Sequence, residues 1–153
     1  MTNSISKNEV TILQEQTPKL FVAAKAFIYC DGKILILRES HQYSEGTNMG
    51  FFDVVGGRIT PGERVDESLI REIKEETGLI VKIGQPFFVS EWRPVVKGAL
   101  WQVVGIFFKC FSDSDKIVLS NDHDEYRWIE PKNFKNEDLI PNLHTAFEAY
   151  LAN

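Results

Sequence analysis

Residues 57–79 read GRITPGERVDESLIREIKEETGL, and this stretch decides the fold. Its apolar residues recur every three or four positions, which predicts an amphipathic helix with one buried face. Pro61 ahead of the helix and Gly78 behind it are residue types that commonly flank a helix start and a helix end. The apolar positions are Val65, Leu69, Ile70 and Ile73. The stretch therefore predicts one helix that follows a glycine-containing loop.

The predicted helix carries Glu72, Glu75 and Glu76 on one face, within an arc of about 100°, because a helix turns about 100° per residue. Like charges at this spacing repel one another and destabilise a helix slightly. The pattern has two interpretations. It is either an ordinary solvated charged face, or a site for a hard divalent cation such as Mg²⁺, which prefers oxygen ligands. Gly56-Gly57 favours the second, because glycine lets the backbone approach an ion or a phosphate closely.

Apolar runs and turns surround this helix on both sides. Asp31-Gly32 is a strong hairpin signal between two strands, and Lys97-Gly98 marks a second turn. The strand at residues 51–55 is predicted to stop at the double glycine. The predicted strands and apolar runs cover residues 20–30, 33–38, 51–55, 79–92, 100–111 and 125–129, with a loop at 39–48 and helical sequence over 131–151. This order predicts a layered α+β or α/β sandwich.

The composition fits one small acidic domain. The 153-residue chain carries 22 Asp and Glu against 17 Lys and Arg, a formal net charge of -5. Such a charge argues against nucleic acid polymers and anionic membranes as partners, because that binding needs Lys and Arg to displace counterions. No apolar run approaches the roughly 20 residues of a membrane helix. The first twenty residues lack the pattern of a signal peptide, so we expect a cytoplasmic protein.

One domain boundary is predicted, near the start of the chain. Residues 1–19 are polar and mixed, and we expect a loosely held N-terminal extension with one short strand at residues 10–13. Residues 20–153 are predicted to form the domain. Cys30 and Cys110 both lie in apolar runs, which favours small buried hydrophobic side chains over a disulfide or a reactive thiol.

The segment at residues 57–79 resembles the Nudix box. That motif is a glycine, five residues, Glu, seven residues, and then Arg-Glu-aliphatic-any-Glu-Glu-any-Gly-aliphatic. The chain matches it throughout, at Gly57, Glu63, Arg71, Glu72, Ile73, Glu75, Glu76, Gly78 and Leu79. A chance match of this kind is expected about once in 10⁷ sequences of this length. The resemblance implies the Nudix fold, an α/β (α+β) class protein with an α/β/α sandwich and a mixed central sheet.

The resemblance also implies an activity. Nudix enzymes hydrolyse a nucleoside diphosphate linked to another group, breaking a P–O–P bond with water and Mg²⁺ or Mn²⁺. By this likeness, Glu72 and Glu76 are the principal metal ligands and Glu75 shares their cluster. The Gly56 carbonyl would be a further ligand, beside Gly57 in the substrate loop.

Other members of the motif have supporting roles by the same likeness. Arg71 would orient the glutamates through salt bridges, and Glu63 would support the junction between the loop and the helix. The family often carries Pro before the double glycine, where this chain has Val55. We expect little effect of that difference on metal binding, since both glycines are kept.

For several roles in the site, the sequence offers more than one candidate residue. The general base is either Glu72 or a glutamate outside the motif, for which Glu91 and Glu125 are the candidates. Arg38 and Arg93 are candidate phosphate contacts, although each is also an ordinary charge at the end of a strand. Four aromatic residues are candidates for stacking a base, or else ordinary core residues: Phe51, Phe52, Trp92 and Trp101.

The substrate has two candidate classes. Pro94 follows Leu79 by fifteen residues, a spacing similar to that of ADP-ribose pyrophosphatases. Small single-domain members also resemble enzymes that remove oxidised or non-standard nucleoside triphosphates. The partner is in either case a small nucleotide, and a homodimer is left open. Two rival functions are a non-catalytic Nudix module that senses a nucleotide and an isopentenyl diphosphate isomerase-like enzyme. The second would need a cysteine in the site.

Overall fold

The computed structural model describes residues 4–9, 16–41 and 48–153. The strand predicted at residues 10–13 lies outside the described residues, as does most of the loop predicted at 39–48. The elements in chain order are β1 (Lys19–Cys30), β2 (Lys33–Glu39), β3 (Phe52–Asp53), β4 (Val55–Arg58), α1 (Val65–Thr77), β5 (Lys82–Trp92), β6 (Val95–Val96), β7 (Ala99–Phe111), β8 (His123–Ile129), the 3-10 helix η1 (Pro131–Asn136) and α2 (Asn142–Ala152).

The strands form one mixed sheet. Its main path has the order β3-β2-β1-β7-β5, with β4 paired to β1, β6 to β7 and β8 to β2. β1 and β7 run parallel, from Lys19 opposite Trp101 to Tyr29 opposite Phe111. The pairs β1–β2, β1–β4, β2–β8 and β5–β7 are antiparallel. The prediction of a mixed central sheet is confirmed.

Helices α1 and α2 cover opposite faces of the sheet. Successive side chains of a strand point to opposite faces, so neighbouring residues of β1 enter different clusters. Ile28 packs with Leu69 and Ile73 of α1, whereas Phe27 packs with Leu143 and Phe147 of α2. The result is the predicted α/β/α sandwich, with a core on each side of the sheet.

Helix α1 ends where the sequence predicts. Gly78 adopts a left-handed conformation with φ of 74° and donates its N–H to the carbonyl of Lys74. The Thr77 hydroxyl donates to the Ile73 carbonyl at 2.6 Å and accepts from the Leu79 N–H at 3.1 Å. These contacts satisfy groups that a helix end otherwise leaves unpaired, and they fix the last turn, which carries Glu76.

A separate strand covers Gly56-Gly57, where the sequence predicts the end of a strand. β4 spans Val55–Arg58 and pairs with β1, with Gly56 opposite Lys25 and Gly57 opposite Ala24. Gly56 has φ of 134°, and a Cβ there would overlap the Ala24 carbonyl oxygen. The glycines therefore permit a close approach between two backbones, where the prediction assigned them to a turn.

The same segment creates an opening in the sheet. β1 pairs with β2 at Tyr29 and Cys30, but over residues 23–26 it pairs with β4 instead. Asp53 of β3 lies opposite Leu37 of β2. Residues 52–58 thus cross from β2 to β1, and we call the place where these strands diverge the strand split.

The helical sequence predicted over residues 131–151 is interrupted. A 3-10 helix covers Pro131–Asn136, and α2 starts only at Asn142. Pro141 directly precedes α2, where its missing N–H costs nothing, whereas inside a longer helix it would remove a hydrogen bond. Among the described residues, no helix is long and apolar enough to cross a membrane.

We expect Gly56→Ala to destabilise the fold far more than Gly98→Ala does. Both glycines have positive φ, but a Cβ at Gly98 would meet no atom within 4 Å. Gly98→Ala carries only the left-handed backbone penalty, about 1 kcal/mol, whereas Gly56→Ala adds a steric overlap, for a total loss of at least about 3 kcal/mol. Urea denaturation of the metal-free protein measures both losses. Equal losses would show that the approach of β4 to β1 is not tight.

Candidate active site

Arg71 gathers the glutamates of α1 and of the loop before it. Its Nε and Nη2 donate to the two carboxylate oxygens of Glu63, at 3.1 and 3.0 Å. Its Nη1 donates to Glu75 Oε2 at 3.2 Å and lies 3.6 Å from Glu72 Oε1. A planar guanidinium is well suited to this, since its fork binds one carboxylate at two points and leaves a further donor free.

This network offsets the repulsion between the carboxylates. The Arg71 guanidinium holds the pKa of Glu63 below its ordinary value, and the carboxylates in turn raise the pKa of Arg71. Arg71 thus makes salt bridges to the glutamates of the helix. The same side chain also reaches Glu63, which fixes the loop to the helix.

Glu72 lies against the double glycine. A Cβ at Gly57 would stand 3.3 Å from Glu72 Oε1, which is tighter than an ordinary contact. The absence of a side chain at Gly57 thus leaves room for this carboxylate. The Glu72 side chain is about 20% exposed, so the site opens to solvent here.

Glu76 is the most buried carboxylate of the cluster. Burial raises its pKa from 4.5 to about 8, and the neighbouring Glu72 carboxylate acts in the same direction. The Lys25 ammonium and the backbone of Gly56 act in the opposite direction and favour the charged form. The positive groups near Glu76 therefore do not compensate for the effect of burial on its carboxylate.

Sequence reasoning missed the buried cation of the site. The Lys25 ammonium lies 2.9 Å from Asp53 Oδ2, and the Lys25 side chain is only 9% exposed. The other oxygen of Asp53 accepts the Val54 N–H at 2.7 Å. The signal was present: a lysine stands in the apolar sequence AAKAFI of β1, and a lysine buried in a strand requires an anionic partner.

A second group of polar residues lies at the end of β2. Glu39 accepts the Asn48 N–H at 2.9 Å, and burial raises its pKa. His123 pairs with Glu39 across β2 and β8. Burial lowers the pKa of His123, and within the described residues its buried Nδ1 has no hydrogen-bond partner. The charges of Lys25 and Asp53 act on both Glu39 and His123, so this group belongs to the same electrostatic environment.

The candidate residues fit a hard divalent cation in their chemistry. Within residues 4–9, 16–41 and 48–153, no three Asp, Glu, His or Cys side chains are arranged closely enough to hold an ion. The donors are nevertheless all oxygens, and Glu76 is a buried carboxylate short of positive charge. Glu72 is a second carboxylate donor, and the space at Gly57 keeps it beside the loop. Mg²⁺ or Mn²⁺ suits this donor set.

Two candidates from outside the motif bind each other. Arg38 donates from Nε to Asp124 at 2.7 Å and from Nη1 to Glu125 at 2.9 Å. Glu125 also accepts from Arg127 at 3.0 Å. Arg38 and Glu125 lie opposite each other on β2 and β8, one residue along from the pairing of Leu37 with Asp53. The structure thus places both near the strand split.

The other two candidates lie farther away. Arg93 donates to Glu91 at 2.7 Å, and Glu91 also accepts from Gln102 at 3.2 Å. This ion pair lowers the pKa of Glu91. Glu91 belongs to β5, which β7 separates from β1 in the sheet. The structure does not bring this pair to the glutamates of α1.

The aromatic candidates have different surroundings. Phe52 is a core residue, 2% exposed, and Arg127 lies 4.7 Å from its ring centroid. Phe51 is exposed. Trp101 packs on Phe21 with ring centroids 4.5 Å apart, and the Arg58 guanidinium lies 4.4 Å from the Trp101 ring. Trp92 packs against the core beside α2 and is partly buried, as is Trp101, so Phe51 is the one exposed residue of the four candidates.

Comparison with known proteins decides the family. The family model described as NUDIX domain matches residues 19–150. The chain belongs to the Nudix family. This match confirms the resemblance found in residues 57–79 and, with the relatives below, the predicted class of Nudix hydrolase.

Relatives of known name span most of the chain. A CTP pyrophosphohydrolase of Escherichia coli (strain K12) is 25% identical over 134 residues, 88% of this chain and 93% of the relative. The nucleoside triphosphatase NudI of the same strain is 28% identical over 116 residues, 71% of this chain and 81% of the relative. The crystal structure of a MutT protein from Methanosarcina mazei Go1 superposes with a TM-score of 0.77 at 27% identity, over 88% of this chain and 94% of that one.

The burial of Glu76 predicts a pH-dependent stability in the metal-free protein. Its pKa is higher folded than unfolded, so its favourable contribution is full below about pH 4.5 and is lost as the pH rises to about 8. We expect Glu76→Gln to match the parent at pH 4 and to exceed its free energy of unfolding at pH 8.5 by on the order of 2 kcal/mol.

Urea denaturation in EDTA across this pH range measures the difference. Glu67→Gln is the matched control, since Glu67 is an exposed carboxylate of the same helix, and its difference from the parent should not grow with pH. A Glu76→Gln variant that is less stable than the parent at every pH would contradict the assignment of Glu76 as a strained, buried carboxylate.

Proposed function

We propose that this Nudix hydrolase cleaves the P–O–P bond of a small nucleotide in which a nucleoside diphosphate is linked to a further group, with Mg²⁺ or Mn²⁺ as cofactor. The observation that carries the proposal is the placement of Glu72 and Glu76 against Gly56-Gly57, with Arg71 holding the surrounding carboxylates. Burying a carboxylate without enough positive charge nearby costs folding free energy. A residue kept at such a cost is a candidate for a functional role.

The charges of the site explain the need for a cation. The substrate is multiply anionic, and the carboxylates of α1 would repel it. A divalent cation held there would supply the positive charge that such a substrate needs and would activate a water for attack. We propose Glu72, Glu76 and the Gly56 carbonyl as its ligands, with Glu75 sharing the cluster and Gly57 leaving room for the substrate.

The chain's own residues then position the attack. Arg71 holds Glu63 and Glu75 and approaches Glu72, so the ligands keep their places when the substrate enters. We propose Glu72 as the general base that takes the water proton on its carboxylate oxygen. Glu125 is less suited, because its carboxylate oxygens are already bound by Arg38 and Arg127.

The arginines outside the motif have secondary roles in this proposal. Arg38 would contact a phosphate after exchanging part of its contact with Asp124 and Glu125. Arg93 is the weaker candidate, since it is bound to Glu91 on β5. The cytoplasmic location and the domain boundary at residue 20 stay predictions from the sequence.

The relatives favour one class of substrate over the other. A CTP pyrophosphohydrolase and a nucleoside triphosphatase both align over most of the chain. We therefore place nucleoside triphosphates, including non-standard and oxidised ones, ahead of ADP-ribose. An ADP-ribose pyrophosphatase from Streptococcus suis is 18% identical to this chain, and at that identity its similarity supports the fold alone.

A substrate panel tests the activity directly. With Mg²⁺ or Mn²⁺, we expect turnover of at least one nucleoside triphosphate, with release of pyrophosphate and the monophosphate, faster than turnover of ADP-ribose. The panel holds the standard and oxidised nucleoside triphosphates, ADP-ribose, sugar nucleotides and dinucleoside polyphosphates. If no compound is hydrolysed while one binds tightly, the nucleotide-sensing module replaces the enzyme as the proposed function.

Glu76→Gln tests the site within that activity. Removing the charge of a principal metal ligand should lower kcat by roughly 10²–10⁴-fold while the fold is kept. Glu67→Gln, the exposed neighbour on α1, should retain the parent kcat. Kinetics with the best substrate of the panel measures both values, and circular dichroism checks the fold. Parent-like turnover by Glu76→Gln would remove Glu76 from the proposed ligands.

A further inference from the structure

The strand split contains a cation supplied by the chain itself. Lys25 lies in the part of β1 that pairs with β4, directly opposite Gly56. Only 9% of its side chain is exposed, and its ammonium lies 2.9 Å from Asp53 Oδ2. A lysine ammonium is strongly hydrated, so burying it in a strand is unfavourable unless anionic groups receive it.

Anionic groups face this ammonium from more than one element. Asp53 of β3 contacts it directly, and the ammonium charge also acts on Glu76 of α1 and on Glu39 at the end of β2. Of the groups acting on Glu76, Lys25 is the largest that favours its charged form. The Lys25 ammonium thus stands among carboxylates of which one is a proposed metal ligand.

We propose that Lys25 is a positioning residue that acts as a built-in counter-ion: by pairing with Asp53 beside the proposed metal ligands, it keeps the metal-free site folded and lowers the affinity of the site for a free divalent cation. This inference rests on the proposed function, since it concerns the same site. As a consequence, the metal binds best as a complex with nucleotide phosphates, because the phosphates supply the negative charge that Lys25 has neutralised in the site.

The sign of the effect follows from electrostatics. In Lys25→Met the side chain keeps its approximate length and loses its charge, so Asp53 and Glu76 are left without their internal cation. The site then has one more net negative charge and attracts a divalent cation more strongly. A role limited to packing predicts the reverse, because a distorted site would bind the metal more weakly.

Titration calorimetry of the full metal-free chain with MnCl₂ alone, and again with MgCl₂, measures this effect. We expect Lys25→Met to bind Mn²⁺ roughly tenfold more tightly than the parent. Its metal-free thermal midpoint should fall, and saturating Mn²⁺ should raise that midpoint by more than it does in the parent. Parent-like or weaker Mn²⁺ affinity in Lys25→Met would overturn the proposal.

Three further variants separate charge from packing. Asp53→Asn removes the carboxylate that contacts the ammonium, so the site becomes more positive and should bind Mn²⁺ several-fold more weakly. The double variant Lys25→Met with Asp53→Asn restores the net charge and should return the affinity to within about threefold of the parent. Lys109→Met is the matched control, a strand lysine whose ammonium lies 5.5 Å from the Tyr150 ring centroid, and it should change nothing.

Asp53→Asn also covers the case in which Lys25→Met does not fold. Unchanged or tighter Mn²⁺ binding by Asp53→Asn then overturns the proposal. The metal titrations need no nucleotide, so the two hypotheses fail separately. If the affinities follow the expected order while no nucleotide is hydrolysed, the proposed function fails and the role of Lys25 stands. If hydrolysis occurs and Lys25→Met does not tighten metal binding, the role of Lys25 fails alone.

Discussion

The close approach of Gly56 to β1 is the constraint on which the rest of the site depends. Because no side chain stands between the two backbones, residues 52–58 can cross from β2 to β1 and remain paired at both ends. That crossing brings Asp53 to Lys25 and leaves Gly57 under the carboxylate of Glu72. A larger residue at Gly56 would move the crossing segment away from β1, and every contact of the site would move with it.

Charge in this site is arranged in two levels that differ in exposure. Arg71 binds the outer carboxylates through partly exposed contacts. Such contacts contribute little to stability, because water can replace them. Glu76 and Lys25 form the inner level, where burial makes a charge without a partner costly. The outer level holds the loop to the helix, whereas the inner level places a cation of the chain beside a proposed metal ligand.

The sequence was sufficient for the helix, the layers and the family, because these depend on local periodicity and on a motif of fixed spacing. Gly78 ends α1 as predicted, since its left-handed conformation is a local property. The course of the chain at Gly56 was predicted wrongly, because a glycine in a turn and a glycine in a tight strand pair look alike without the partner strand. Lys25 with Asp53, and Arg38 with Glu125, were missed as pairs, since each joins residues far apart in the chain.

The parallel pairing of β1 with β7 has a consequence for the order in which the domain is made. Lys19 lies opposite Trp101, so the two central strands are joined by a chain segment that contains the whole Nudix motif. On the ribosome, β1 emerges long before its parallel neighbour, and contacts of such long sequence separation form slowly. The nascent chain therefore leaves one edge of β1 without its parallel partner until β7 has been synthesised.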